Sequence, residues 1–496
     1  MEIKVFKTDL IREQMSNMNL FQVDDNYRLT SWLFLKGVAL AYFIAFLSLG
    51  VQITGLAGPN GILPFYETLN QVFQESGWFA WWKIPTVFWL DASDTTLQLA
   101  AYGGAVLAIL LFLGLWQMPA LIGMFVLYVS LFHAGDTFLS FQWDTLLLET
   151  GFLAIFLVRG PTFLVIFMYH WLLFRFRFMS GFFKLHGGDP SWSELTALNY
   201  YFETQVLPHT GSWYFHQLPD WMLQGGVLLV FFTELIVPFF IFLPRPFRIA
   251  AALITIGMQI LIMMTSNHNF VNLLVIVLAL FLLDDRIVGR LVPQRVKERV
   301  SAAKMSAPTR TAKTWLGITA ALIFVTSIAT FTWRTIRINY PDFMKHTFVT
   351  VHSLGLGHIF HVYPTMQIQR QELEIQGSYD GRNWYSYGFK YKPGPVDKRP
   401  PFNIPHQPRL DWMMWFLPPQ RKDDYWLQML LRRLHEGSPQ VLQLLEHNPF
   451  MDQPPQYLRV LAFDYRFTTP EEREATGNWW KRKYLGEFPY VKPRVP

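Results

Sequence analysis

Ser31 to Leu56 reads SWLFLKGVALAYFIAFLSLGVQITGL, an apolar run of the length that crosses a bilayer core. Further apolar runs follow at 97–116, 119–132, 141–158, 163–183, 221–243, 247–265, 270–283 and 315–332. Such a chain has few folding options: in lipid every backbone polar group must be satisfied within its own segment, which leaves helices. The runs 119–132 and 270–283 are short, so each is expected as a tilted partner or a re-entrant segment. Composition agrees, since 51% of the 496 residues are hydrophobic and only 16% are charged. An average soluble chain has roughly 25% charged residues. The fold expected is a multi-pass α-helical membrane domain of about eight or nine spans, followed by a soluble β-rich α+β domain.

Charge placement orients the spans. The connection 284–313 carries Arg286, Arg290, Arg295, Lys297, Arg299, Lys304, Arg310 and Lys313, which by the positive-inside rule marks it as cytoplasmic. Alternating backwards puts Arg245 and Arg248, Arg159, and the N-terminal Lys4, Lys7 and Arg12 on the same side. Residues 1–30 then form a cytoplasmic segment without a cleavable signal, 31–336 the membrane domain, and 337–496 an extracytoplasmic domain. The GPNGILP loop and the connection 184–220 fall on that far side too, and the tryptophans of GWFAWWKIPTVFW suit the membrane–water boundary. Basic residues confined to short connections do not make a nucleic-acid surface. The chain has no cysteine, which excludes disulfides and thiol chemistry.

Beyond residue 339 the pattern changes to strand alternation. Leu373, Ile375 and Gly377 alternate with Glu372, Glu374 and Gln376, and an Asp380–Gly381 turn leads into Tyr385, Tyr387, Phe389 and Tyr391. This reads as a hairpin. Helices are expected at 425–435 and 439–447 and a strand at 457–468, forming a small sandwich with helical insertions. No internal repeat occurs, which speaks against a transporter, and the connection 284–313 reads as disordered.

Ionisable residues crowd the stretch from Trp171 to Phe240, between two apolar runs, where they are costly and therefore a place to look for function. Lys184 sits at the outer end of a span: it is either a desolvated general base, with His186 and Glu203 as catalytic partners, or a snorkelling lysine whose head reaches water. Asp144, Glu149 and Glu234 lie within apolar runs and are expected to pair with Arg175, Arg177 or histidines. Together with His209, His216, Asn267 and Asn269 they would build a polar interior that lines a substrate site. His352, His358 and His361 have no carboxylate at ligand spacing, so no metal is predicted. HGGD at His186 is similar to a lipase oxyanion loop, but no GxSxG supplies a nucleophile, and no P-loop or GxGxxG motif supports nucleotide chemistry.

Several long stretches carry a resemblance: QWDTLLLETGFLA (142–154), WLLFRFRFMSGFFKLHGGDPSW (171–192), NYYFETQVLPH (199–209), SNHNFVNLL (266–274), GSYDGRNWYSYGFKYKPG (377–394), RPPFNIPHQPRLDWMMWF (399–416) and GNWWKRKYL (477–485). With these the chain resembles the lipase maturation factor family from about residue 30 to its end. The resemblance implies a membrane-embedded folding factor for exported clients, lipases in particular, with a lumenal or periplasmic C-terminal domain. Eukaryotic members carry cysteines and this chain has none, so a thiol-dependent role does not transfer; a bacterial homologue in the inner membrane is implied, with the ER membrane as the alternative if the source is eukaryotic. A remoter similarity links GFFKL (181–185) to the Gly-x-Lys-Lys-Leu stretch of vitamin K-dependent γ-glutamyl carboxylases, where the second lysine, here Lys184, is the base that deprotonates a reduced quinone; Phe183 replaces the first.

The leading expectation is a maturation factor that meets its secreted client through Asp411, Trp412, Trp415 and Tyr387. Its partners are the client and membrane lipids. The alternative is a membrane enzyme acting on a lipid or quinone with Lys184 as base. No cofactor is predicted on the first reading, and a lipid or quinone is the small molecule on the second.

Overall fold

The computed structural model describes residues 19–303, 308–420 and 424–489; Lys4, Lys7, Arg12 and Lys304 lie outside them. Among the described residues seven helices are long and apolar enough to cross a membrane. They are α1 (Arg28–Gly50), α2 (Asp94–Leu113), α3 (Gln117–Phe138), α5 (Phe163–His186), α6 (Asp220–Phe240), α7 (Arg245–Thr265) and α9 (Arg310–Ile336). Two shorter apolar helices, α4 (Gln142–Leu157) and α8 (Val271–Leu282), run between the same two ends of the bundle. The 119–132 run is thus longer than its apolar core implied, because Gln117 and the segment after Phe132 continue the helix. The 16 residues of α4 extend about 24 Å at ~1.5 Å per residue, short of a ~30 Å hydrocarbon core.

Local chemistry fixes the boundaries. Ser93 caps α2, Thr162 caps α5 and Thr309 caps α9, each hydroxyl accepting a backbone N–H of the first turn. Gly114 ends α2 in the left-handed conformation at φ 81°, its N–H donating back to Leu110 and Leu111. In α6, Pro238 cannot donate to the carbonyl of Glu234, and the residues before it, Phe232–Ile236, widen into a π-turn. A Cβ on Gly104 would sit 2.3 Å from the Phe46 ring, so α1 and α2 approach more closely than any larger residue permits.

At one end of the bundle Arg245 is ion-paired with Asp284, and Asp285 accepts from the N–H groups of Leu29 and Thr30, both at 2.9 Å. That cap explains a difference from expectation. The connection after α8 is not irregular where described; it carries helices Asp285–Leu291 and Gln294–Ala302. At the opposite end lie the GPNGILP loop, the residues after Lys184, the 266–270 loop and the C-terminal unit: Arg433 donates to Gly61 at 2.8 Å and Trp192 to Tyr363 at 3.1 Å.

The C-terminal unit is built on one antiparallel sheet, ordered β2-β1-β3-β4, with β1 Arg370–Ser378, β2 Tyr385–Ser386, β3 Tyr457–Phe467 and β4 Trp480–Glu487. β1 and β3 pair with Leu373 opposite Ala462 and Ile375 opposite Val460. Asp380 closes the hairpin by accepting from Arg382 and Asn383, both at 2.8 Å. Alternation along β3 buries both faces, with Leu461, Phe463, Tyr465 and Phe467 packing on Trp480 and Trp213, and Val460 and Ala462 entering the main core. No second sheet is present among the described residues: helix Tyr425–His435 and the membrane half take its place, which corrects the expected sandwich. The hairpin's second arm is also shorter than its alternation implied, because Gly388 bonds to His447, and Tyr391 and Lys392 donate to the Asp411 carboxylate. Helix 439–447 stops at Leu442 for the same reason.

Candidate functional site

On α5, Arg175, Arg177, Ser180 and Lys184 are all buried. Arg175 pairs with Glu149 and donates to the His358 carbonyl at 3.0 Å, while Glu149 also accepts from Gly357 N–H at 2.9 Å. Lys184 reaches Glu234 Oε2 at 2.7 Å, Ser180 Oγ at 2.9 Å and the Ser180 carbonyl at 3.5 Å, with its ammonium 5.2 Å from the Trp192 ring. All three ammonium donors are therefore engaged. Arg177 makes a 3.3 Å bond to the Thr233 carbonyl inside the π-turn. Its Nε has no partner among the described residues, and neither has Oδ1 of Asn272.

Arg177, Ser180, Lys184, Glu234 and Asn272 face a cavity of about 360 Å³ between α5, α6 and α7, lined mainly by apolar side chains such as Phe202, Leu223 and Met258. Its outer wall contains Tyr201, whose hydroxyl is 2.9 Å from Ser266 Oγ and 2.8 Å from His268 Nε2. Burial pushes the His268 imidazole down to about 4, and the charges of His209 and Lys184 act in the same direction, so at neutral pH the ring is uncharged. A second, aromatic cavity of about 590 Å³ shares His268, Val362 and Tyr363 with the first and continues past Trp143, Trp412 and His361. Tyr363, in the partition, holds a φ of 47°, a strained setting for an aromatic residue.

The three residues expected to act together do not meet. His186 is exposed and stacks on Phe182 with ring centres 5.3 Å apart, outside the cavity wall. Glu203 turns to the C-terminal sheet, accepting from Phe467 N–H at 2.7 Å and from Arg466 at 3.2 Å, with His216 at 3.7 Å. Lys184 has Glu234 as its carboxylate instead. Of the expected carboxylate partners, Glu149 takes Arg175, but Asp144 takes an arginine from the C-terminal unit. Arg409 grips it bidentately with two bonds of 2.7 Å, and Tyr128 adds a third of 2.7 Å.

Much of the expected polar interior is in fact this junction. Asn267 donates to the Pro401 carbonyl at 2.8 Å and accepts from Asn403 N–H at 3.1 Å. Asn269 donates to Gln407 at 2.8 Å. His209 caps helix Thr210–His216 through Nδ1 and lies against the Phe402 ring at 5.4 Å. The expected client-contact residues are also spent inside the chain. Asp411, Trp412 and Tyr387 are buried, and Trp415 donates its indole N–H to the Thr204 carbonyl at 2.8 Å. Their aromatic content fills the core between the two halves, so a client surface has to be sought elsewhere. No group of three or more His, Asp and Glu is arranged to hold a metal among the described residues.

Comparison with known proteins covers both halves. The profile of the lipase maturation factor transmembrane domain matches residues 29–290, and that of the lipase maturation factor C-terminal domain matches residues 358–490. The chain belongs to the lipase maturation factor family. Relatives include lipase maturation factor 2 of Mus musculus, 32% identical with 93% of this chain and 82% of the relative covered, and that of Rattus norvegicus, 33% identical with the same coverage. Lipase maturation factor 1 of Homo sapiens is 31% identical over 93% of this chain and 87% of its own length. No solved structure matches.

The two family domains are thus joined by buried polar contacts, several of them from arginines that the sequence reading did not single out. Arg370, fully buried on β1, donates to the carbonyls of Glu203 at 3.0 Å, Gln205 at 2.5 Å and Val206 at 3.0 Å while pairing with Glu372 at 2.6 Å. Arg409 lies in QPRLDWMMWF, where a lone cation beside an apolar run was the available signal.

Proposed function

We propose that this membrane-embedded family member assists the maturation of exported clients, lipases among them, from the extracytoplasmic side. The family match over nearly the whole chain carries this reading. Two further observations support it. The basic connection holding Arg286, Arg290, Arg295 and Lys297 lies at the end of the bundle opposite the C-terminal unit, which by the positive-inside rule supports a far-side location for that unit. The buried Asp144–Arg409 and Glu203–Arg370 contacts hold the unit rigidly against the membrane half. With Trp412 and Tyr387 internal, the client surface proposed here is the hairpin end of the sheet, where Tyr385, Tyr457 and Met451 are 52%, 51% and 83% exposed. The test is to delete the gene in its host and measure the specific activity of each exported lipase. Loss of activity at unchanged lipase synthesis, restored by the wild-type chain and less so by the triple Tyr385→Ser, Tyr457→Ser, Met451→Ser variant, supports the reading. Unchanged activity of every exported lipase refutes it.

A second reading, a membrane enzyme with Lys184 as base acting on a lipid or quinone, draws support from the apolar cavity beside that lysine. Against it stands the lysine's full set of acceptors, Glu234 first, which leaves none of its N–H groups free to face a substrate.

A further inference from the structure

The cavity between α5, α6 and α7 combines an apolar wall with one uncompensated charge. Lys184 and Arg177 share one nearby carboxylate, Glu234, which bonds to Lys184 at 2.7 Å; Arg177, 4% exposed, makes no direct ion pair among the described residues and holds a 3.3 Å bond to a carbonyl, so the site keeps one net positive charge. A buried guanidinium left this way in a membrane is costly unless an anion meets it. Met222, Gly225 and Leu229 of α6 line the cavity and are also exposed, so it opens sideways through the apolar belt of the bundle, where bilayer lipid would stand. Its volume of about 360 Å³ lies at the lower end of the ~300–1,000 Å³ typical of small-ligand sites, room for one chain and not for a two-chain phospholipid.

We propose that this cavity binds a single-chain amphiphile with a monoanionic head, entering from the bilayer between α6 and α7. The chain lies among Phe202, Leu223, Leu229 and Met258, and the head is held by Arg177. The chemistry fits a long-chain carboxylate or a monoacyl phosphodiester. The site is one of binding, independent of the client reading and of any base at Lys184.

The test uses the full chain in nanodiscs of phosphatidylcholine, with radiolabelled palmitate as probe. The expected result is saturable binding, weakened at least tenfold in Arg177→Met, largely retained in Arg177→Lys, and lost in Gly225→Leu. A Cβ at Gly225 meets nothing within 4 Å, so the last variant adds bulk to the wall without a built-in clash and decides the matter if Arg177→Met fails to fold. Unlabelled palmitate and palmitoyl lysophosphatidylglycerol should displace the probe, the stronger of the two identifying the source, while neutral monopalmitin should not. Non-saturable uptake, equal binding by wild type and Gly225→Leu, or equal displacement by monopalmitin would overturn the proposal.

Discussion

Replacing Asp144 by Asn tests the junction at its most buried point. Asp144 is fully buried, accepts both Nη groups of Arg409 at 2.7 Å and the Tyr128 hydroxyl at 2.7 Å, and Arg409 is 1% exposed. Removing one charge from such a pair strands the other, a change that costs ~3–5 kcal/mol, or about two to nearly four decades in the docked-to-undocked equilibrium. Removing both charges together costs far less, because the desolvation of each disappears with it. Asp144→Asn and Arg409→Met should therefore each lower the urea concentration at which the C-terminal unit becomes susceptible to protease, and the double variant should recover most of the loss. Tyr128→Phe, which removes one charge-assisted hydrogen bond, should cost ~1.5–3 kcal/mol. The reading is refuted if the two single effects simply add in the double variant, since additivity means the residues do not interact.

Three other outcomes follow from the same geometry. Burial depresses His209, His268 and His406 to about 4 and His358 to about 3, so the unfolded chain binds their protons first; stability is fully present above about pH 6.5 and falls on acidification through about pH 4, by up to ~1.4 kcal/mol per pH unit for each histidine. Thermal melts between pH 7.5 and 4.5 check this, and a flat profile contradicts it. Gly55→Ala places a Cβ 2.5 Å from the Gln440 carbonyl oxygen and should loosen the contact of the first outer loop with the C-terminal unit by ~1–3 kcal/mol, read as faster hydrogen exchange at residues 438–445. Lys184→Met should lower the amount of folded protein, and pairing it with Glu234→Gln should restore it; full lipase maturation by the double variant would remove Lys184 as a base, and its failure despite normal folding would favour that role.

The membrane half was largely legible because lipid imposes one rule on every span: apolar runs of sufficient length become helices, and flanking cations show which connections share an end. Span lengths were less so, since Gln117 and Gly135 belong to α3 although neither is apolar in the usual sense. The β1–β3 core of the C-terminal unit followed from period-two alternation around Asp380–Gly381. What the sequence hid was long-range. Asp144 and Arg409 are 265 positions apart and Glu203 and Phe467 are 264 apart, so nothing local to QWDTL or NYYFE shows whether its carboxylate faces a substrate or another part of the chain. Trp412 and Tyr387 looked like contact residues for the same reason: a two-domain junction and a client surface draw on the same aromatic residues.

On the proposed function the C-terminal unit works in the compartment through which exported proteins pass. The chain has no cysteine, so single cysteines report without background. Met451→Cys lies on the C-terminal unit and Arg299→Cys on the basic connection, and both positions are exposed. With a membrane-impermeant maleimide added to intact spheroplasts or, for an ER protein, to sealed inside-out microsomes, Met451→Cys should be labelled at once and Arg299→Cys only after the membrane is permeabilised. Labelling of Arg299→Cys alone before permeabilisation would contradict the account.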